Sequence, residues 1–440
     1  MKQILVLGAG KSSSALIGYL LLKAPLFQWH ITVIDANISN AKEKLNNSPY
    51  GSALSLKVED SQERQKVISN ADIVISLLPP HLHSFVAEDC VALNKNLLTA
   101  SYIDAKISLL ADEIKQKQLL FLCEMGLDPG IDHMSSMQIV NTIKKEGGKV
   151  TSFKSHCGGL VAPESDNNPW HYKISWNPRN VVMAGKQGAI YKQDNATIKL
   201  NYEDLFSNPQ ILNINGHAPF SFYPNRDSLT YLPLYHMEEV KTFIRTTLRY
   251  PAYMHGWKHV VALQLTDETP QYDTNGKTLA DFYQEHLSKN NFTRWLSKEN
   301  LETADERSFF AQLIYLGLCD NETTIDKGLC SAADVLQFSL EKKLALQPGD
   351  KDMVVMMHEI EYELKGKNYT IESSLTVKGE DSQHTAMAKT VGLPLGIAAM
   401  LILEGKITLT GLHIPILPEI YEPVLAELNE MGIQFHEVIK

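Results

Sequence analysis

Cysteine is scarce and unpatterned in this chain. Cys90, Cys123, Cys157, Cys319 and Cys330 are odd in number and widely spaced, with no CxxC pair. That argues against a disulfide framework or a cysteine-based zinc site and fits a reducing, cytoplasmic setting. A basic excess is also missing. The formal net charge is −10, so no nucleic-acid partner is expected, because phosphate neutralisation needs clustered Lys and Arg. The N-terminus enters an apolar strand directly, and neither a signal peptide nor an apolar run of membrane-spanning length is expected; hence no membrane partner. Repeats and low-complexity tracts are lacking. So are the HxH and HExxH spacings that would make ligands of His133, His156 or His171, and no metal is expected. What is present is ordinary: 44% apolar and 21% charged residues are globular proportions. A length of 440 residues exceeds one core and points to roughly three domains.

The clearest chemical signal lies at the start. Ile4-Leu5-Val6-Leu7 is a continuous apolar run, as a strand buried on both faces of a parallel sheet requires. Gly8-Ala9-Gly10 follows, Lys11-Ser12-Ser13-Ser14-Ala15-Leu16-Ile17 opens a helix, and the strand Ile31-Thr32-Val33-Ile34 ends at Asp35. This order is that of a dinucleotide site. Gly8 makes the turn and Gly10 lets the backbone approach the pyrophosphate. The helix start at Lys11, Ser12 and Ser13 offers free N–H groups and a positive dipole end. Ser13 stands where the usual fingerprint has a third glycine, and it is small enough for close helix–strand packing. Asp35 suits the ribose hydroxyls of the adenosine half and would repel a 2′-phosphate. No Arg or Lys follows it until Lys42, so NAD is the expected cofactor, with NADP left open.

Further apolar strands, Ala71 to Leu78, Asn96 to Tyr102 and Leu119 to Cys123, alternate with helical patterns. That is the signature of a doubly wound parallel sheet of Rossmann type. Leu78, Pro79, Ala100 and Ser101 then fall at strand ends, where the nicotinamide half is expected. After the last strand comes Glu124-Met125-Gly126-Leu127-Asp128-Pro129-Gly130-Ile131-Asp132-His133. Alone it reads as a tight loop whose acids cap the next helix. At the end of a nucleotide-binding sheet it is also placed for proton transfer, and Gly126, Leu127 and Pro129 are expected cofactor contacts.

Strand-like segments (Val150 to His156, Val181 to Ala184, Ala196 to Leu200, Met353 to Glu363, Tyr369 to Val377) predict a second, α+β domain. Helical spacing of Phe309, Leu313, Leu316, Val335, Leu336, Phe338 and Leu340 predicts a helical insertion. The apolar helix pattern from Thr385 to Glu404 is expected to pack back on the nucleotide domain. The fold class is therefore α/β: an N-terminal Rossmann domain over 1–125 joined by 385–440, a substrate-binding domain over 126–250 plus 350–384, and an insertion over 251–349.

Eight segments stand in order along the chain: ISLLPPHLH (75–83), TASYID (99–104), EMGLDPGIDHM (124–134), SHCGGLVAPESDNNPWHYKISWNPR (155–179), YPNRDS (223–228), RTTLRY (245–250), DMVVMMHEIE (352–361) and AMAKTVGLPLGIAAMLILEGKI (386–407). Through them the chain resembles the L-glutamate-forming saccharopine dehydrogenases, or saccharopine reductases. The resemblance implies an NAD(P)-dependent oxidation of saccharopine to L-glutamate and 2-aminoadipate 6-semialdehyde, or the reverse reduction, in lysine metabolism. The partner is then a small molecule, and a homodimer stays open.

A substrate with three carboxylates needs cationic, preferably bidentate partners. A generic arginine is more often a solvated surface residue, but the motifs favour Arg226 and Arg249 as substrate clamps, with Thr247 beside Arg249. Asp128 is the expected acid–base group. Tyr102 and Ser101 are expected to reach the substrate from the neighbouring strand end. Cys157, expected on a turn made by Gly158 and Gly159, reads equally as a catalytic neighbour or a small buried thiol. Lys173 and Trp176 are expected to pair with and cover the substrate. Two rival functions are weighed. A carboxyspermidine-type imine reductase shares the scaffold, but GLDPGIDH together with YPNRDS favours saccharopine. A non-catalytic nucleotide-binding relative should have lost the strand-end acid or the arginines, and Asp128, Arg226 and Arg249 are all present.

Overall fold

The apolar run after Met1 forms strand β1 (Lys2–Leu7), and five more follow with helices between them: β2 (Trp29–Asp35), β3 (Gly51–Ser55), β4 (Ile73–Ser76), β5 (Asn96–Thr99) and β6 (Leu120–Leu122). The computed structural model describes residues 1–440. They divide into two compact units: unit 1 holds Met1–Val150, Leu234–His236 and Glu361–Lys440, and unit 2 holds Thr151–Pro233 and Met237–Ile360.

In unit 1 the strands make a parallel sheet in the order Gly411–His413, β6, β5, β4, β1, β2, β3. β1 lies between β2 and β4, with Ile4 in register with Ile31 on one side and Ile73 on the other. Strand order reverses there, so a crevice opens beyond the carboxyl ends of β1 and β4, the usual ligand position in such sheets. Two strands have weak signals in the sequence. β3 is a mostly exposed edge strand, and its Gly-Ser-Ala-Leu-Ser shows no apolar run. The strand Gly411–His413 joins β6 from nearly three hundred residues away along the chain.

The apolar pattern near the C-terminus is the helix Ala386–Leu403, capped at Thr385, whose hydroxyl accepts from the Ala388 amide. Its eighteen residues reach membrane-spanning length and hydropathy, contrary to the sequence expectation, yet 78% of the span is buried inside the protein. It lies against the helix Ser14–Phe27. A Cβ at Gly392 would come 2.8 Å from the Leu16 nitrogen, and one at Gly396 2.8 Å from the Tyr19 ring. These two glycines allow the helices to touch backbone to backbone. Its apolarity is that of a core helix.

Unit 2 is built on the strands Gln210–Leu212, Phe220–Pro224, Thr242–Arg249, Lys149–Val161 and Asp352–Leu364, adjacent in that order, with the hairpin Ala189–Gln193 and Ala196–Leu200 at the side. Val181 and Val182 belong to the short helix Pro178–Val182, not to a strand. Asn177 caps it by accepting from the Asn180 amide, and Pro178 occupies its first position, both ordinary helix-start signals. The helices Pro251–Ala262, Leu279–Lys289, Ala304–Leu316 and Ala332–Lys343 share one core with Trp170, Tyr172, Phe206 and Tyr223.

Candidate functional site

In unit 1 the expected cofactor residues begin at the β1 turn. Gly8 has φ +102°, and a Cβ there would come 2.8 Å from the Leu77 carbonyl oxygen. Only glycine fits between the ends of β1 and β4. Gly10, by contrast, faces open space, with nothing within 4 Å of the point a Cβ would occupy, which is the room a pyrophosphate needs. Lys11–Ser13 form a single 3-10 turn that leads into the helix Ser14–Phe27. Buried Ser13 donates its hydroxyl to the Gly10 carbonyl at 2.8 Å, so the third fingerprint position is tied into the turn. Asp35 Oδ2 accepts from the Ala9 amide at 2.9 Å. Its Oδ1 accepts from the Asn37 amide at 2.9 Å and the Asn40 side-chain amide at 3.1 Å. A carboxylate offers about four acceptor sites, so capacity for a ribose hydroxyl remains.

Leu78, Ala100 and Ser101 are half-buried and Pro79 is exposed, all just past the ends of β4 and β5. A residue absent from the sequence expectations links them. His83, the last of the ISLLPPHLH segment, is buried and bridges Ser76 Oγ at 2.8 Å and Ser101 Oγ at 2.7 Å. Burial pushes its imidazole down to about 4, with Asp104 opposing and His81 adding to the shift. It is neutral at pH 7, so one ring nitrogen donates and the other accepts.

The loop after β6 is rigid. The Glu124 and Met125 amides donate to the Ser101 and Thr99 carbonyls, both at 3.0 Å. The Gly126 amide donates to Pro129 at 3.0 Å, and Asp132 Oδ1 accepts from the Gly130 amide at 2.6 Å. Gly130 has φ +146°, and a Cβ there would sit 2.0 Å from the Gly126 oxygen; no other residue fits. The loop holds Asp128 half-buried while Leu127 and Pro129 are buried, and Tyr102 is half-buried in the turn after β5. Beneath lies a second buried chain that the sequence did not single out: Glu124 Oε2 meets His133 Nε2 at 2.9 Å, and His133 Nδ1 meets the Tyr235 hydroxyl at 2.5 Å. Glu124 and His133 are nine residues apart in the motif, but Tyr235 is 102 residues from His133, which no local rule could pair.

In unit 2 the pleat puts three of the expected residues, Cys157, Thr247 and Arg249, on one face. Thr247 is in register with Cys157 on one side and Tyr223 on the other, and Arg249 is in register with Ser221. Residues two apart share a face. Arg249 is only 3% exposed. Its Nη1 donates to the Leu248 carbonyl at 2.8 Å, and its guanidinium lies over the rings of Tyr172 and Tyr253, 5.4 and 5.3 Å from their centroids. Burial pushes both tyrosine hydroxyls above their usual range, so both are neutral. Arg249 Nε is buried without a hydrogen-bond partner, and so is Ser221 Oγ. A buried guanidinium over neutral rings, with an unused donor, has the chemistry to pair with an anion.

Three expectations change here. Cys157 does not lie on a turn: it is inside the thirteen-residue strand Lys149–Val161 and buried. The glycine after it serves the sheet, because a Cβ at Gly158 would lie 2.7 Å from Leu248. Lys173 is buried, and its ammonium already pairs with Asp350 at 2.6 Å, so its charge is matched within the protein. Arg226 lies in the exposed two-residue strand Arg226–Asp227, beside Ala189 and Ile190, with φ +53°. That is an uncommon backbone state for a non-glycine residue, often found at functional sites. Trp176 is half-buried, and its indole donates to the Tyr172 hydroxyl at 3.1 Å, which ties it to the Arg249 surroundings.

A family model described as "Saccharopine dehydrogenase NADP binding domain" matches residues 4–122, and one described as "Saccharopine dehydrogenase C-terminal domain" matches residues 126–433. The saccharopine dehydrogenase [NADP(+), L-glutamate-forming] of Schizosaccharomyces pombe is 31% identical over 100% of this chain and 99% of its own length. The alpha-aminoadipic semialdehyde synthase of Arabidopsis thaliana is 35% identical over 93% of this chain, which spans only 40% of that relative's length. The solved apo saccharopine dehydrogenase (L-Glu forming) of Saccharomyces cerevisiae superimposes with a TM-score of 0.88 at 31% identity, covering 100% of both chains.

Proposed function

Because the chain belongs to the saccharopine dehydrogenase family, we propose that it oxidises saccharopine with a nicotinamide dinucleotide and water to L-glutamate and 2-aminoadipate 6-semialdehyde, or runs the reverse reduction. The observation that carries this reading is Arg249, a buried cation whose unused donor calls for a carboxylate, as each end of saccharopine provides. Thr247 and Ser221 flank it as further hydrogen-bonding groups, and Arg226 is proposed as a second, more exposed carboxylate partner. The bound dinucleotide supplies the hydride acceptor. Gly8, Gly10 and the Lys11–Ser13 turn hold its pyrophosphate, Asp35 its adenosine ribose, and Leu78, Pro79, Ala100, Ser101, Gly126, Leu127 and Pro129 the nicotinamide end. Amine oxidation needs an unprotonated substrate nitrogen, and imine hydrolysis then needs proton movement. Asp128 accepts the nitrogen's proton and later returns one to the leaving amine, while Tyr102 and Cys157 orient the reacting group. Lys173, matched by Asp350, positions the neighbouring backbone. The Rossmann sheet of unit 1 with the loop after β6 thus carries the cofactor, the sheet of unit 2 supplies the carboxylate partners of the substrate, and the helices within 251–349 complete the core of unit 2. None of the five cysteines is in a disulfide, which agrees with the proposed cytoplasmic setting.

The family model over residues 4–122 is that of an NADP binding domain, and the fungal relatives are NADP(+) enzymes by name, which favours NADP; against this, Asp35 ends β2 in this chain. Its carboxylate opposes a 2′-phosphate, and Ala36 and Asn37 offer no cation to offset it. On that ground NAD is the preferred cofactor here. The test is absorbance at the nicotinamide band with saccharopine and each cofactor. Reduction of both, with higher kcat/KM for NAD and a narrowed or inverted preference in the Asp35→Ala, Asn37→Arg double variant, is expected. Equal or better efficiency with NADP sinks the cofactor reading. Absence of reduction with either sinks the substrate.

A further inference from the structure

Two helices of unit 2 bring together three side chains that the proposed reaction leaves unused. His255 and His259 stand four apart on the helix Pro251–Ala262, so their imidazoles share a face. Asp305 lies in the first turn of the helix Ala304–Leu316. A reciprocal cap between Thr303 and Glu306 pins that turn. Phe309, one turn beyond Asp305, stacks on the His259 ring at 4.6 Å, and Trp295 meets it edge-on at 5.3 Å. The rotamer of His259 is therefore set by its neighbours.

The polar geometry is unusual. His255 Nε2 lies 3.1 Å from the Asp305 backbone carbonyl, which can only accept, so Nε2 carries a hydrogen. His255 Nδ1 faces Asp305 Oδ1 at 3.0 Å, and His259 Nε2 lies 3.7 Å from Asp305 Oδ2. His259 Nε2 is buried without a hydrogen-bond partner. In a neutral imidazole with hydrogen on Nε2, the Nδ1 lone pair points at a carboxylate oxygen, and something positive must lie between them. A second proton on His255 satisfies that edge alone and leaves His259 orphaned. A metal cation satisfies all three.

We propose that His255, His259 and Asp305 form a binding site for a borderline divalent cation of the zinc type, clipping the two helices together. One ligand atom from each residue lies within 4.8 Å of the others, the two imidazoles facing different oxygens of Asp305 at 3.0 and 3.7 Å. Ligand bonds of about 2.0–2.1 Å in a tetrahedron put ligand atoms roughly 3.3–3.4 Å apart, so a bound ion draws these side chains slightly together. The Nε2–H of His255 donating to a backbone carbonyl is the outer-shell contact that metal-bound histidines make. Two imidazoles and one carboxylate suit zinc, cobalt or nickel rather than magnesium or calcium, and the half-open surface leaves a position for solvent. The HxxxH spacing is visible in the sequence, but the third ligand is 46 residues beyond His259 and carries no local signal.

The experiment uses the full, untagged chain dialysed against a chelator, titrated with Zn2+ by calorimetry and with Co2+ by visible absorption, with thermal melts in parallel. One equivalent should bind and raise the melting temperature. His255→Ala, at a half-buried position, and Asp305→Asn, at an exposed one, should each weaken binding at least about tenfold. Circular dichroism of the metal-free variants checks that they remain folded. Cys319→Ser, which removes the one exposed thiol, should bind as the unmodified chain does. Binding undiminished in His255→Ala and Asp305→Asn overturns the proposal, as does an unmodified chain that takes up no Zn2+ below about 1 mM.

Discussion

Replacing Arg249 by methionine separates the demands of substrate binding from those of folding. In the structure the guanidinium is buried with Nε unpartnered, one bond to a backbone carbonyl and two tyrosine faces beneath it. Removing it forfeits cation–π attraction of about 0.5–2 kcal/mol and one hydrogen bond of roughly 1 kcal/mol. It also removes a buried charge that no carboxylate compensates, whose burial costs several kcal/mol. The balance is neutral or favourable, so the melting temperature of Arg249→Met should stay level or rise by a few degrees. Substrate binding moves the other way. Loss of a charge-assisted carboxylate contact costs about 1.5–3 kcal/mol, or about ten- to hundredfold in KM for saccharopine. Steady-state kinetics at the nicotinamide band, with NAD saturating, and scanning calorimetry on the same preparation read both quantities. A KM within twofold of the unmodified enzyme, or a melting temperature lower by more than about 8 °C, would show that Arg249 holds the fold and not the substrate.

Asp128→Asn keeps the shape of the rigid loop but removes the proton acceptor, so kcat should fall at least about a hundredfold while dinucleotide binding, followed by fluorescence titration, persists; near-normal turnover returns Asp128 to a structural role. His83 binds fewer protons folded than unfolded between pH 6.5 and about 4, so it contributes stability above that window that is lost as pH falls through it, about 3 kcal/mol in all. Denaturant midpoints of His83→Gln measured from pH 7 to pH 4 should therefore decline less steeply than those of the unmodified chain, and parallel slopes would refute the assignment. Gly130→Ala should lose about 3 kcal/mol or more, since its Cβ would overlap the Gly126 oxygen at 2.0 Å in a backbone state closed to alanine; an unchanged urea midpoint would contradict the loop geometry.

Much of unit 1 is legible from residue order alone. An apolar strand, the Gly8 turn, a helix opening and a second strand ending in Asp35 obey local rules of periodicity and backbone sterics, and each keeps its role in the fold. The same holds for the helix Ala386–Leu403, whose apolarity is visible even though its burial is not. Local rules also explain two misreadings. Val181 and Val182 look like strand residues until Asn177 and Pro178 are weighed as a helix start, and β3 is too short and polar to announce itself. What only tertiary structure decided is pairing across distance. Lys173 and Arg249 read alike as cations awaiting a carboxylate, yet Asp350, 177 residues away, neutralises the first and nothing comparable meets the second. Tyr235 joins Glu124 and His133, and Asp305 joins His255 and His259, on the same footing. A charge is spent or left available according to which distant segment the fold lays beside it, and that neighbour leaves no trace in the residues on either side.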